Sequence, residues 1–318
     1  MFRDVLKIQV YCWMSMTTPP IHPLRASLIS AAIEHAVGAH CQRPWRVVEF
    51  QDLNDLASHP CALLSDGNFA VFAKLSTAAN AVEQFEVELA GLRLIHERSG
   101  VGVPTPIDVV ELEDGAVLLL EGVKHIVPVR AEKHWRDIGR ALARLHRVKS
   151  DVCGLHSHGY FGPVYQDNRP MREWPMFYAE RRLWPRLISA IDAGHMPTAI
   201  ARQVERVIAR LPELCGPPVT AALLHGDAQQ NNWISSEAGA LIVDPAVHFG
   251  HPELDLAYLG YWQEIPESVL DGYREEMPID PGFVERRDLW RISGYLAAVA
   301  VAGKDYLPWL VNALSRYV

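Results

Sequence analysis

Three oxygen-bearing side chains, Asp227, Asn232 and Asp244, have the types and the spacing to do chemistry together. They lie in one stretch, Leu223 to Leu256, reading LLHGDAQQNNWISSEAGALIVDPAVHFGHPELDL. Phosphoryl transfer needs little covalent help from a protein, but much positioning and charge neutralisation. One carboxylate must accept the proton of the attacking hydroxyl, and Asp227 is placed for that. Asn232, five residues on, offers a neutral oxygen, and Asp244 a charged one. Together they make a hard-ligand pair suited to Mg²⁺ carrying substrate phosphates. Alone, His225-Gly226-Asp227 reads as a turn, and Asp244 after an apolar run reads as a helix cap. The ordered set of Asp, Asn five residues later and a strand-end Asp is more specific.

Short strands must hold these groups. The apolar runs Ala221–Leu224 and Ala240–Val243, with a Gly-containing turn at Glu237–Gly239, predict two short strands that gather the polar residues at their ends. A second chemical signal lies upstream, where Lys74 is the single charge of the strand VFAKLS. An ammonium in an apolar strand is costly unless it has a task or reaches solvent. In a kinase-type site it pairs with nucleotide phosphates and is held by a helix carboxylate. The helix over 80–99 supplies Glu86 and Glu88, which cannot face the same way because positions i and i+2 point apart. Glu88 flanks the apolar face of Leu89, Leu92 and Ile95 more closely and is the preferred partner.

Cys61–Leu64 and Phe69–Leu75 read as a hairpin turned at Ser65–Asn68. A strand is expected over Trp45–Phe50 and an amphipathic helix over Pro23–Val37. Ile107–Leu112 and Ala116–Leu120 form a further strand pair running into Glu121-Gly122-Val123. A strand followed by a small-residue joint is where two lobes would connect, with Glu121 and Val123 offering backbone groups to adenine. The division is therefore an N-terminal extension (1–22), a first lobe (23–123) and a second lobe (124–318). The second lobe is mainly helical, with helices over 135–148, 174–191 (bent at Pro185), 198–211, 254–262, 266–276 and 282–318, and a Gly/His-rich loop over Asp151–Asp167. The fold class is α+β, an antiparallel sheet plus one main helix followed by a helical lobe.

Composition narrows the field. The chain has 318 residues, 49% hydrophobic and 21% charged, with a formal net charge of −8. That describes an ordinary globular protein with room for two cores. No apolar run approaches the roughly 18 residues that span a bilayer. No basic, aromatic-interleaved patch points to nucleic acid. Met1–Pro20 carries Asp4 and Lys7 and lacks a small-residue cleavage site, so it does not read as a signal peptide; Met14 or Met16 is an alternative start. The five cysteines are scattered and show no CxxC pairing, which argues against a disulfide framework or zinc site and for a cytoplasmic protein. His156 and His158 have a spacing that could bind metal, but read better as part of a polar loop. Beyond Asp244 there is no room for a peptide-docking activation segment, so the expected substrate is small.

HGDAQQNN, VDPAVHFGHPELDLA, VFAKLS with FEVELAGL, the LARLH helix, and DNRP followed by EWPMFYAERRLWPRL resemble the fructosamine/ketosamine-3-kinase family. That family belongs to the aminoglycoside-phosphotransferase-like small-molecule kinases. The likeness runs from about Val47 to Tyr295. HGD and DPA are shared across the wider group, while GHPE and FYAERRL point to the ketosamine branch. The resemblance implies a bilobal protein-kinase-like fold, ATP and Mg²⁺, and transfer of the γ-phosphate to the 3-hydroxyl of a fructosamine or ribulosamine. It makes Asp227 the base, Asn232 and Asp244 the metal ligands, and Lys74 with Glu88 the phosphate clamp. It casts His225 and Asp255 as support for the catalytic loop, and puts Trp174, Tyr178 and Arg181 on the substrate side. Two departures stand out: the usual HGDLW is here His225-Gly226-Asp227-Ala228-Gln229, and Asp52–Pro60 contains no glycine to build a phosphate-cradling loop. The alternatives are an aminoglycoside, choline or other small-molecule kinase, and a catalytically silent kinase-like binding protein.

Overall fold

A computed structural model describes residues 22–54, 59–124 and 130–318 of the chain. The expected extension, His22 apart, lies outside them. The chain forms two compact units, one of residues up to Glu86 with Thr105–Val123, the other of Val87–Pro104 with Lys124–Val318. Among the described residues no helix is long and apolar enough to cross a membrane.

The first unit contains α1 (Ser27–Cys41), β1 (Glu49–Asp52), β2 (Cys61–Ser65), β3 (Ala70–Ser76), the start of α2 (Ala81–Ser99), β4 (Pro106–Leu112) and β5 (Gly115–Glu121). Its strands form one antiparallel sheet in the order β1-β2-β3-β5-β4. Alternation along a strand sends Val71, Ala73 and Leu75 of β3 and Val117 and Leu119 of β5 into a core with Ile33 and Val37 of α1. The β2–β3 turn is set by Asp66, whose Oδ1 accepts from the Asn68 and Phe69 amides, and by Gly67 at φ 91°. The strand expected over Trp45–Phe50 instead begins at Glu49 and ends at Asp52. Trp45 is a buried core residue ahead of it, and its indole N–H donates to the Phe69 carbonyl.

The second unit begins with the C-terminal part of α2. Gly91 there lets Val247 pack close, and Gly102 is bridged to Leu241, its carbonyl accepting from the Ile242 amide. Those contacts explain why 87–104 groups with this unit, whereas the sequence reading ran the first lobe unbroken to Val123. Then follow α3 (Glu132–His146), β6 (Lys149–Ser150), β7 (Gly159–Phe161), β8 (Val164–Gln166), α4 (Trp174–Tyr178), α5 (Trp184–Asp192), α6 (Thr198–Ala209), α7 (Leu211–Leu214), β9 (Ala221–Leu224), β10 (Trp233–Ser236), β11 (Gly239–Ile242), β12 (His248–Gly250), α8 (Glu253–Leu259), α9 (Glu267–Arg274), α10 (Phe283–Ala302) and α11 (Leu307–Leu314).

Three sequence expectations change here. The turn at Glu237–Gly239 joins β10 to β11, while β9 lies between β12 and β6 in a separate antiparallel sheet. The loop expected over Asp151–Asp167 contains the β7–β8 hairpin. The helix expected over 174–191 is interrupted at Ala179–Leu183 by a widened π-type turn. Pro185 has no N–H to give the Arg181 carbonyl, and Arg182 Nη1 donates to that carbonyl instead, at 3.0 Å.

Candidate active site

The catalytic loop leaves β9, a strand buried at all four positions, and enters His225-Gly226-Asp227. Asp255, fully buried on α8, holds the entry. Its Oδ2 accepts from the His225 amide at 2.7 Å and its Oδ1 from the Gly226 amide at 2.9 Å. His146 Nε2 lies 3.1 Å from the same Oδ2, and its Nδ1 is 2.8 Å from the Tyr273 hydroxyl. Gly226 sits at φ 78°, and a Cβ there would collide with the Ala246 carbonyl oxygen. Only glycine fits this close approach. The Ala246 amide in turn donates to the His225 carbonyl, closing the loop against the segment after Asp244.

Asp227 is half-buried at the loop's tip. Its Oδ2 accepts from the side-chain amides of Asn232 (3.0 Å) and Gln229 (3.2 Å), and its backbone carbonyl accepts a second bond from Asn232 Nδ2 (2.8 Å). Oδ1 is enclosed and meets no partner among the described residues. Burial, reinforced by the charge of Asp244, pushes this carboxyl up to about 7; the bonds from Gln229 and Asn232 pull the other way. A proton acceptor with that affinity is matched to work near neutral pH. His225 accepts from the Asp227 amide through Nδ1 and is held neutral by burial.

The β10–β11 hairpin sets the two metal-ligand candidates side by side. Trp233 pairs with Ile242, and one step further the Val243 amide donates to the Asn232 carbonyl, at 3.1 Å. Asn232 and Asp244 therefore leave the same end of one hairpin. Asp244 has φ 51°, a left-handed conformation uncommon in non-glycine residues and found at functional sites. Among the described residues no group of three or more His, Cys, Asp or Glu side chains is placed to hold a metal. Asn232 and Asp244 nevertheless suit Mg²⁺, which takes one or two protein oxygens and completes its shell with water and phosphate. Asn232 turns its Nδ2 to Asp227, which leaves Oδ1 as the side-chain oxygen a metal could take.

Residues without a sequence signal brace this loop. Arg130 donates to Ser235 Oγ and to the Gln230 and Trp233 carbonyls, and the Trp233 indole donates to the Ala228 carbonyl. Gln229, at a departure from the HGDLW pattern, bonds the carboxylate of the candidate base Asp227.

The structure moves two expected substrate residues into the core. Tyr178 is fully buried and its hydroxyl donates to the Leu289 and Trp290 carbonyls, so it cannot reach an acceptor. Trp174 is buried against Phe177, Tyr178 and Trp290. The aromatic positions of α4 mark the face packed on α10. Arg181 stays partly exposed, 3.2 Å from Asp167. In the first unit, Lys74 is buried on β3, opposite Leu118, with Nζ 5.5 Å from the Phe85 ring centre. Glu88 is half-buried and Glu86 exposed. At the end of β5, the Glu121 and Gly122 amides bond the Thr105 and Ala70 carbonyls; Val123 follows with no described partner for its amide. Two surface hollows, of about 460 and 330 Å³, are lined by Arg98, Arg144 and Lys149 and by Cys153, Arg172 and Thr220. No catalytic-loop residue lines either, so neither is the reaction site.

An antiparallel five-stranded unit followed by a helical unit that carries an Asp-Asn-Asp loop defines a kinase-like phosphotransferase fold. The chain belongs to the fructosamine kinase family, whose model matches residues 29–318. It is 27% identical to the ketosamine-3-kinase of Mus musculus, over 71% of this chain and 81% of that protein. It is 29% identical to the chloroplastic protein-ribulosamine 3-kinase of Oryza sativa subsp. indica, over 74% and 68% respectively. A Thermobifida fusca crystal structure assigned to fructosamine-3-kinase matches with a TM-score of 0.76 and 29% identity, covering 91% of this chain and 97% of its own. The protein is accordingly a phosphotransferase acting on a sugar hydroxyl.

Proposed function

We propose that the chain is an ATP- and Mg²⁺-dependent ketosamine kinase that phosphorylates the 3-hydroxyl of a fructosamine or ribulosamine. The observation that carries this reading is the pairing of a base of raised proton affinity, Asp227, with Asn232 and Asp244 at one hairpin end. The named activities of the mouse and rice relatives support the acceptor class.

The acceptor hydroxyl gives its proton to Asp227 as its oxygen forms a bond to the γ-phosphorus and the bond to ADP breaks. Asn232 holds the Asp227 carboxylate in place through Nδ2 and presents its own Oδ1 to the metal. Mg²⁺, when bound by Asn232 and Asp244, neutralises charge on the phosphates. Lys74, a lone cation in an apolar strand, is the residue for a nucleotide phosphate, with Glu88 its helix carboxylate, and Glu121 and Val123 are the backbone positions for adenine. His225 and Asp255 keep the loop in shape without touching substrate, and Arg181 remains a candidate on the acceptor side.

The test is ATP consumption with Mg²⁺ and a fructosamine or ribulosamine of lysine, followed by phosphorus NMR of the product. A new phosphomonoester on the sugar is the expected result. Transfer to an aminoglycoside or choline alone would remove the ketosamine assignment. No transfer together with no thermal shift by Mg·ATP would instead mark a silent binding protein.

A further inference from the structure

Two arginines of the second unit are buried, and they differ in how they are partnered. Arg182 is 1% exposed and is held through both terminal nitrogens by the Asp167 and Arg181 carbonyls and Asn168 Oδ1, with only its Nε lacking an acceptor among the described residues. Those bonds fix the widened turn before α5, and Arg182 reads as structural. Arg186 is 3% exposed and has a different environment. Its Nη2 donates to Gln166 Oε1 at 2.8 Å, its guanidinium lies 4.5 Å from the Phe161 ring centre and within hydrogen-bonding reach of the Tyr258 hydroxyl, and Nη1 meets no acceptor among the described residues. Among the described residues no carboxylate forms an ion pair with it. A guanidinium cannot shed its charge, so burying it without a counter-ion is costly.

The neighbours repeat the pattern. Gln166 is 2% exposed, and its Nε2 has no acceptor among the described residues. Among those same residues the enclosed Tyr261 hydroxyl and Asp227 Oδ1 also lack partners. Aromatic rings link part of this set, Phe161 packing on Tyr258 and Tyr258 on Tyr261, and the charge of Arg186 lowers the proton affinity of Asp227, Tyr258 and Tyr261. Two buried N–H donors (one of them on the cation Arg186), a hydroxyl and a carboxylate oxygen thus lack partners among the described residues, a set completed by something the chain does not supply.

We propose that Arg186, with Gln166 and Tyr261, forms the subsite that receives a carboxylate of the acceptor. The proposal rests on the kinase reading of Asp227. Two nitrogens with open donor positions match the two oxygens of a carboxylate, and the charge-assisted bonds so formed are stronger than neutral ones. A phosphate dianion would need more donors and a second cation. The acceptor is thereby narrowed to a ketosamine carried by a free amino acid, whose carboxylate lies a few bonds from the sugar. A ketosamine within a polypeptide has only an amide there.

The decisive pair is 1-deoxyfructosyl-glycine and its carboxamide, measured by calorimetric binding and by kcat/KM on wild type and Arg186→Gln. Wild type is expected to bind the carboxylate form at least tenfold more tightly, and Arg186→Gln to bind both forms alike with its KM for ATP unchanged. Equal binding of the two forms by wild type would overturn the subsite, and this comparison needs no variant to fold. So would a preference that persists in Arg186→Gln. Phosphorylation of both forms at equal efficiency sinks the subsite and keeps the kinase. Carboxylate-selective binding without phosphoryl transfer keeps the subsite and sinks the kinase reading.

Discussion

Asp255, on α8, holds the entry of the loop that carries Asp227, and the chain treats the two carboxylates in opposite ways. Asp255 is fully buried with both oxygens engaged, by the His225 and Gly226 amides and His146. Asp227 has one oxygen held by two side-chain amides and the other unpartnered. A carboxylate satisfied by backbone donors fixes geometry. One left partly unsatisfied is poised to take a proton. The contrast separates the residue that shapes the loop from the residue proposed to react.

The largest expected effect sharpens that separation. Asp227→Asn should lower kcat by about a thousandfold or more, because it removes the proton acceptor while keeping the shape. Mg·ATP binding should persist, since Asn232 and Asp244 are untouched. The same variant carries a pH signature in metal-free buffer. The folded Asp227 carboxyl is raised above its unfolded value of 3.8 to about 7. Its contribution to stability is therefore full in acid and lost as pH rises through about 7. Asp227→Asn should melt higher than wild type at pH 8, with the gap narrowing towards pH 5. A constant gap across that range would contradict the raised affinity.

Asp255→Ala should break the comparison from the other side. It leaves the His225 and Gly226 amides and His146 buried without an acceptor, a loss of about 3–5 kcal/mol by urea unfolding. Activity should fall with stability, unlike Asp227→Asn. Gly226→Ala adds backbone strain of about 1–3 kcal/mol at φ 78° and a collision with the Ala246 carbonyl, so the same unfolding assay should register a smaller but clear loss. Arg130→Ala is the mildest: the loop keeps Asp255 but loses three bonds. A fall in kcat of roughly tenfold with little change in melting temperature is expected.

How far these assignments were legible follows from the kind of signal each residue carries. Asp227, Asn232 and Asp244 could be picked out as candidates because their spacing is short-range and the strands beside them are apolar. The sheet partners of β9 could not. Lys149–Ser150 and His248–Gly250 are two- and three-residue strands with no hydrophobic alternation to mark them. Tyr178 and Trp174 were misplaced because an aromatic on an amphipathic helix signals a packed face without saying what packs on it. Arg130 and Arg186 left no trace in the sequence, since a lone polar residue is defined only by the distant groups that fold against it, and Gln229 showed only as a departure from HGDLW. The antiparallel sheet of the first unit was plain from its period-two runs, and only β1 slid, where Trp45 serves the core.

The β10–β11 hairpin closes through Glu237 and Ala238 between the paired Ser236 and Gly239. Inserting or deleting one residue in either strand would shift the pairing by a step and turn alternate side chains to the opposite face. Asn232 and Asp244 would then part company even with both residues retained. Substitutions on the exposed turn should be tolerated, while single-residue length changes in the hairpin should not. The interval between those two residues is thus a fixed length of chain, inherited whole or lost.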